Sequence, residues 1–386
     1  MSPAIYLGNG SVGPAKGSTG RQQCPEPSAP DPDRSPGEAS MDKPAGSGEN
    51  HGVAARDMET NFQDPFGRQI TYVRLSVTDR CNMKCVYCIP DGMEWVEKAD
   101  VLSYEEMARL AGILARMGVR RIRLTGGEPT VRPDLTTLVR LLRAIPEVEE
   151  ISLSTNALLL APMAAELRAA GVDRVNISLD SLRADRFREI TRGGDIEKVF
   201  AGIAAAEAAG LAPIKINVVA MRGVNEDEIE DFARMTRERP WHVRFIEMMP
   251  LIGNADSQPY RFLSSNQIHE RLSAIDALIP ETPPAGNGPA TYFRYAGAPG
   301  SIGFITPLSH NFCDRCNRVR LTARGHLRLC LFGDDEVDLR TALRAGASDA
   351  AIAAAIREAV LVKPERHHLE LGAAGSRLIA LSQTGG

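Results

Sequence analysis

Between residues 70 and 250 the chain alternates short apolar strands with amphipathic helical stretches, and no other feature narrows its fold as much. Strands are expected at Ile70–Val77, Arg121–Leu124, Ile151–Ser154, Arg174–Leu179, Ile214–Val219 and Val243–Glu247. A 3.6-residue period fills the gaps with helices at Tyr104–Met117, Leu135–Ala144, Met163–Ala170, Ile196–Ala209 and Glu226–Thr236. Gly118, Gly171 and Gly210 follow three of them and suit left-handed C-terminal caps. Strict strand–helix alternation makes a parallel sheet with right-handed crossovers. Six such units fall short of the eight that close a barrel. The expected fold class is therefore α/β, an incomplete (β/α)6 TIM-type barrel open along one side.

Within those strands polar and apolar residues take turns. Tyr72, Arg74 and Ser76 oppose Val73, Leu75 and Val77; Arg121 and Arg123 oppose Ile122 and Leu124. Asn176, Ser178 and Asp180 oppose Ile177 and Leu179, and Lys215 and Asn217 oppose Ile214 and Ile216. A parallel sheet covered on both faces reads apolar throughout. An edge strand would explain one such alternation, but four together point to a polar, cationic lumen able to hold an anion.

Residues 1–57 are rich in Gly, Pro, Ser and Asp and offer little to bury, so a disordered tail is expected there. A true start at Met41 or Met58 would account for it. The barrel occupies 62–250, and a C-terminal region, 251–386, is expected to close its open side. In that region 255–300 is rich in loop formers, Arg318–Leu331 alternates like a hairpin turning at Arg324-Gly325, and Leu339–Leu361 is helical. The net charge of −4 advertises neither nucleic acid nor an anionic membrane as partner. No apolar run reaches the ~20 residues of a membrane span, and no secretory signal opens the chain. A cytoplasmic protein is expected.

Six of the seven cysteines fall into two triplets: Cys81, Cys85, Cys88 and Cys313, Cys316, Cys330; Cys24 stands alone. In a large chain outside an oxidising compartment, such spacing reads as metal or redox chemistry. The first triplet, Cys81-x3-Cys85-x2-Cys88, follows the first strand, at the end where parallel α/β proteins build active sites. Three thiolates can hold three irons of a [4Fe–4S] cube and leave the fourth open. Zinc would need a fourth ligand, and no other Cys or His lies within twenty residues. For the second triplet, Cys313-x2-Cys316-x13-Cys330, a zinc site completed by His310 or His326 stays open.

The run Val77-Thr78-Asp79-Arg80-Cys81-Asn82-Met83-Lys84-Cys85-Val86-Tyr87-Cys88 resembles the signature of radical S-adenosylmethionine enzymes. In that family the open iron chelates S-adenosylmethionine, and reductive cleavage releases a 5′-deoxyadenosyl radical. The run from Asn311 to Arg320, with Cys330-Leu331-Phe332-Gly333 beyond it, resembles GTP 3′,8-cyclases, and the likeness spans roughly residues 62–386. It implies a second [4Fe–4S] cluster on Cys313, Cys316 and Cys330 that contacts guanine. Tyr87, Gly127, Ser178 and Met249 match cofactor-binding positions, and the Gly126-Gly127-Glu128-Pro129 turn would hold the methionyl end. Arg74, Arg123, Ser154, Lys215, Arg318 and Arg320 match substrate positions. Arg318, Arg320 and the terminal Gly385 and Gly386 match catalytic ones.

The resemblance implies conversion of GTP to (8S)-3′,8-cyclo-7,8-dihydroguanosine 5′-triphosphate, the first step of molybdenum cofactor biosynthesis. Its implied partners are a low-potential donor of flavodoxin or ferredoxin type and the next pathway enzyme, cyclic pyranopterin monophosphate synthase. A monomer or homodimer without nucleic acid or membrane is expected. Two departures stand out. Ala157 replaces a family glycine, so the turn there is expected to avoid positive φ, and Thr384 stands where an apolar residue is usual. A peptide-modifying radical enzyme would carry more C-terminal cysteines, and a zinc-stabilised nucleic-acid-binding protein would present a basic surface.

Overall fold

The computed structural model describes residues 62–249, 261–285, 288–368 and 380–384. The expected tail, Gly385 and Gly386 lie outside the described residues.

Six parallel strands follow the alternation: β1 Tyr72–Ser76, β2 Arg121–Thr125, β3 Glu150–Thr155, β4 Arg174–Ser178, β5 Lys215–Ala220 and β6 His242–Glu247. Between them run α1 Tyr104–Met117, α2 Leu135–Arg143, α3 Leu160–Ala170, α4 Ala184–Thr191, α5 Ile196–Ala208 and α6 Ile229–Glu238. Serine starts α1 in a reciprocal capping box, Ser103 accepting from the Glu106 amide while the Glu106 carboxylate accepts from Ser103. Gly118 ends the helix at φ 132°. The expected helix Glu226–Thr236 splits into a tight turn at Glu226–Glu228 and α6. Helix α4 was not anticipated.

The C-terminal half does more than close one side, because it lengthens the sheet at both edges. Its strands are β7 Ile279–Glu281, β8 Thr291–Arg294, β9 Ser301–Ile305, β10 Arg318–Leu321, β11 His326–Arg328 and β12 Glu336–Asp338. Strand order is β12-β11-β10-β1-β2-β3-β4-β5-β6-β9-β8-β7 in one 12-stranded sheet. Strand β10 runs parallel beside β1 and β9 runs parallel beside β6, so the parallel core exceeds six strands. The stretch 255–300, read as loops, contains α7 Ser265–Ser273 and two of these strands. The hairpin turning at Gly325, φ 81°, is as expected. Helices α8 Leu339–Arg344 and α9 Asp349–Val360 follow, and α10 Leu381–Thr384 ends the described chain.

One face of the sheet is the core. Val73, Leu75, Ile122, Leu124, Ile151, Leu153, Val175, Ile177, Ile216, Val218, Val243 and Phe245 belong to a single buried apolar cluster with the helices. Each such side chain contributes roughly 1.5–3 kcal/mol on burial. The opposite face carries the polar set, and register aligns it: Arg320 pairs with Arg74, Arg74 with Arg123, Arg123 with Ser152 and Ser152 with Arg174. No helix among the described residues is long and apolar enough to cross a membrane.

Candidate functional site

All six cysteines of the two triplets, half-buried and free of disulfides, line one cavity of about 320 Å³. Cys81, Cys85 and Cys88 come from the loop after β1, and Cys313, Cys316 and Cys330 from the segments flanking the β10–β11 hairpin. Tyr87, Gly127, Ser178 and Met249 line the same space, as do Arg74, Arg123, Ser154, Arg318 and Arg320. Lys215 stands on the inner face of β5, its ammonium donating to the Ala285 carbonyl at 2.6 Å.

The cysteine loop is wedged against the strand-two turn. A Cβ at Gly126 would meet the Thr78 carbonyl at 2.3 Å, and one at Gly127 would meet the Arg80 and Asp79 carbonyls at 2.3 and 2.5 Å. These glycines are required first by backbone crossing backbone. The Glu128 carboxylate accepts from the Thr130 amide, the Thr130 and Thr155 hydroxyls and the Asn156 amide, which ties this turn to the end of β3.

Ala157 corrects the other expectation: it adopts φ 61°. The side chains of Thr155 and Asn156 turn back to accept from the amides of Ala157 and Leu158 at 3.0 and 3.1 Å, which fixes the turn. The alanine methyl is accommodated against Gly202, where a Cβ would meet Ala157 Cβ at 3.0 Å.

The first triplet is poor at ionising by itself. Burial pushes the Cys81 thiol up to about 11 and the Cys88 thiol up to about 12. Cys85 goes well above the thiol range through burial, then repulsion from Cys88 and Asp180. Such thiols ionise when a metal claims them. The second triplet lies in a more cationic setting. Burial raises Cys316, but Lys363 and Arg318 outweigh it and bring the thiol below its usual value.

The zinc alternative lacks its extra ligand: neither His310 nor His326 lines the cavity that holds Cys313, Cys316 and Cys330, and they meet Asn266 at 3.1 Å and Glu336 at 2.8 Å instead. Among the described residues no three His, Cys, Asp or Glu side chains converge on a single-ion site. A cube spreads three thiolates over three irons and does not require that convergence.

Facing the thiols is a wall of cations. Arg123 Nε donates to Ser152 at 3.3 Å, and burial, then repulsion from Arg174 and Arg244 against attraction by Tyr72, brings it down to about 10. Arg320 also falls to about 10, first through burial, then through Arg318. Lys215 falls to about 6 through burial and through Arg244, Arg174 and Arg123. Glu150, 2.5 Å from Arg174, is a counterweight on the β3 side. Nε of Arg174, Arg244 and Arg318 is buried without a partner among the described residues. Buried guanidiniums that repel one another favour a bound anion.

Sequence reasoning missed Arg174, Arg244 and Asp180. Arg174 continues the alternation of Asn176 and Ser178, and Arg244 sits opposite Gly303 in register. A Cβ at Gly303 would meet Arg244 Cγ at 2.9 Å. Asp180 was placed on the polar face without a role. It is buried, raised to about 6 by burial against its bonds to Tyr87 and Val219.

Residues 75–236 match the Radical SAM superfamily and residues 241–369 match Molybdenum Cofactor Synthesis C. The chain is 53% identical to a GTP 3′,8-cyclase of Moorella thermoacetica over 326 residues, 84% of this chain and 100% of that protein. It is 48% identical to the GTP 3′,8-cyclase of Pelotomaculum thermopropionicum over 84% of this chain and 100% of that protein. Among solved structures, Streptococcus suis SuiB bound to S-adenosylmethionine superposes with a TM-score of 0.53 at 13% identity, covering 79% of this chain and 70% of that one. That likeness concerns the fold.

Proposed function

Because the chain belongs to the GTP 3′,8-cyclase family of radical S-adenosylmethionine enzymes, we propose that the cavity shared by the two triplets carries the whole reaction, with an iron–sulfur cluster at each cysteine triplet and GTP between them. The enzyme converts GTP to (8S)-3′,8-cyclo-7,8-dihydroguanosine 5′-triphosphate with two [4Fe–4S] clusters and S-adenosylmethionine, at the first step of molybdenum cofactor biosynthesis. When bound, the first cluster and S-adenosylmethionine supply the radical that removes the 3′ hydrogen of GTP.

In this reading Cys81, Cys85 and Cys88 hold the first cluster and Cys313, Cys316 and Cys330 the second. Tyr87, Gly127, Ser178 and Met249 embrace S-adenosylmethionine. Arg74, Arg123, Lys215, Arg318 and Arg320, with the Ser154 hydroxyl, bind GTP, guanidinium forks meeting phosphate oxygens bidentately. Arg318 and Arg320 also stand beside the reacting nucleoside. Gly385 and Gly386 are proposed to enter the site; in support, the carbonyl of Thr384 accepts from Arg320 Nη1 at 3.4 Å. A flavodoxin- or ferredoxin-type donor supplies electrons, cyclic pyranopterin monophosphate synthase takes the product, and the protein works in the cytoplasm as a monomer or homodimer.

The observation that carries this is the shared cavity: six thiols of two distant triplets meet one cationic wall. Anaerobic reconstitution should load about eight irons per chain with matching sulfide and yield a protein that cyclises GTP. About four irons, or zinc in their place, would remove the second cluster from the account.

A further inference from the structure

Just past α9, Lys363 is 3% exposed. Among the described residues its ammonium has one hydrogen-bond acceptor, the carbonyl of Leu329, and no ion pair. A buried ammonium without countercharge is strongly unfavourable. The neighbour of Leu329 is Cys330, and Lys363 is the foremost cation acting on Cys316.

Its position is fixed from behind. Arg68, ahead of β1, donates to the carbonyls of Cys313 at 2.7 Å, Pro364 at 2.7 Å and Glu365 at 2.6 Å. It thus bolts the chain just after Lys363 onto the second cysteine loop. Arg68 is itself balanced by Asp64 at 2.5 Å, whereas Lys363 has no carboxylate partner among the described residues. The first triplet has the opposite surroundings, with the carboxylates of Glu128 and Asp180 nearby.

We propose that Lys363 is the countercharge of the second iron–sulfur cluster, stabilising its three-thiolate site and favouring its reduced state. This rests on Cys313, Cys316 and Cys330 being the cluster's ligands. A cube with three thiolates is anionic, and one-electron reduction adds a further negative charge without making or breaking a bond. A fixed cation stabilises the more negative form more, so losing it makes reduction harder.

The test uses the full chain carrying Cys81→Ala, Cys85→Ala and Cys88→Ala, so that the second site alone reports. This parent, Lys363→Met and Lys363→Arg are reconstituted anaerobically with iron and sulfide, assayed for iron, and titrated with dithionite under electron paramagnetic resonance. Lys363→Met should lower the reduced-to-oxidised ratio at a fixed potential at least tenfold, about 59 mV for one electron. Lys363→Arg should stay near the parent. A Met variant that cannot retain the cluster while the Arg variant does also supports the countercharge. A Met variant titrating like its parent, or Met and Arg variants losing the cluster equally, would overturn it. A parent that binds no iron would instead sink the ligand assignment.

Discussion

The hydroxyl of Tyr87 donates to Asp180 Oδ2 at 2.6 Å, joining the loop that carries the first cysteine triplet to the end of β4. The other carboxylate oxygen accepts from the Val219 amide at 2.8 Å, so the loop is tied through Asp180 to β5 as well. Tyr87→Phe leaves a buried acceptor short of a donor, at a cost of about 1–3 kcal/mol. Thermal denaturation should show lower stability, and equilibrium dialysis should show weaker S-adenosylmethionine binding. Wild-type values for both would detach this pair from the cofactor site.

Gly127→Ala should be worse than its single methyl suggests. The new Cβ would lie 2.3 Å from a backbone carbonyl of the cysteine loop, which cannot swing away like a side chain. A cost of about 1–3 kcal/mol is expected from overpacking. Iron should be lost from the first site while the second keeps its own; equal loss from both would contradict the local argument.

Much of this was legible because a period-two pattern reports a sheet with one polar and one apolar face. The inner rows were found from Arg74, Arg123, Asn176 and Lys215, and β1–β6 start within two residues of their expected positions. Arg244 escaped because Ile246, on the same inner face of β6, breaks the polar series. Helix α4 is short and lies in a charged run that resembles a loop. Strands β7 and β8 are short, and β9 gains its stability from a distant partner, β6. The positive φ of Ala157 is imposed by the side chains of Thr155 and Asn156, where composition alone favoured an ordinary turn. Lys363 and Arg68 have no periodic signal, since their partners lie far along the chain.

Substrate binding should consume a proton. Free Lys215 has its pKa near 6, so it is neutral at pH 7.5, and a triphosphate beside it favours the ammonium. Affinity for GTP should therefore fall as pH rises from 6 toward the bound-state pKa, with no dependence from this group below 6. Calorimetry in buffers of different ionisation enthalpy should count the uptake. Lys215→Gln should abolish it, and the γ-phosphate's own titration cancels in that comparison. Equal uptake by both proteins would move Lys215 away from the phosphates.

The two clusters should separate by mutation. Cys85→Ala should abolish cleavage of S-adenosylmethionine and leave about half the iron. Cys316→Ala should also leave about half but keep some cleavage uncoupled from GTP. Normal cyclisation by Cys316→Ala would refute the role of the second triplet.

The shared cavity makes one demand above all: S-adenosylmethionine and the ribose of GTP must be neighbours. The reconstituted enzyme, reduced anaerobically and given S-adenosylmethionine with GTP deuterated at C3′, should release 5′-deoxyadenosine one mass unit heavier, together with the cyclised product. Unlabelled 5′-deoxyadenosine accompanying cyclised product would contradict direct hydrogen transfer between the two ends of this cavity.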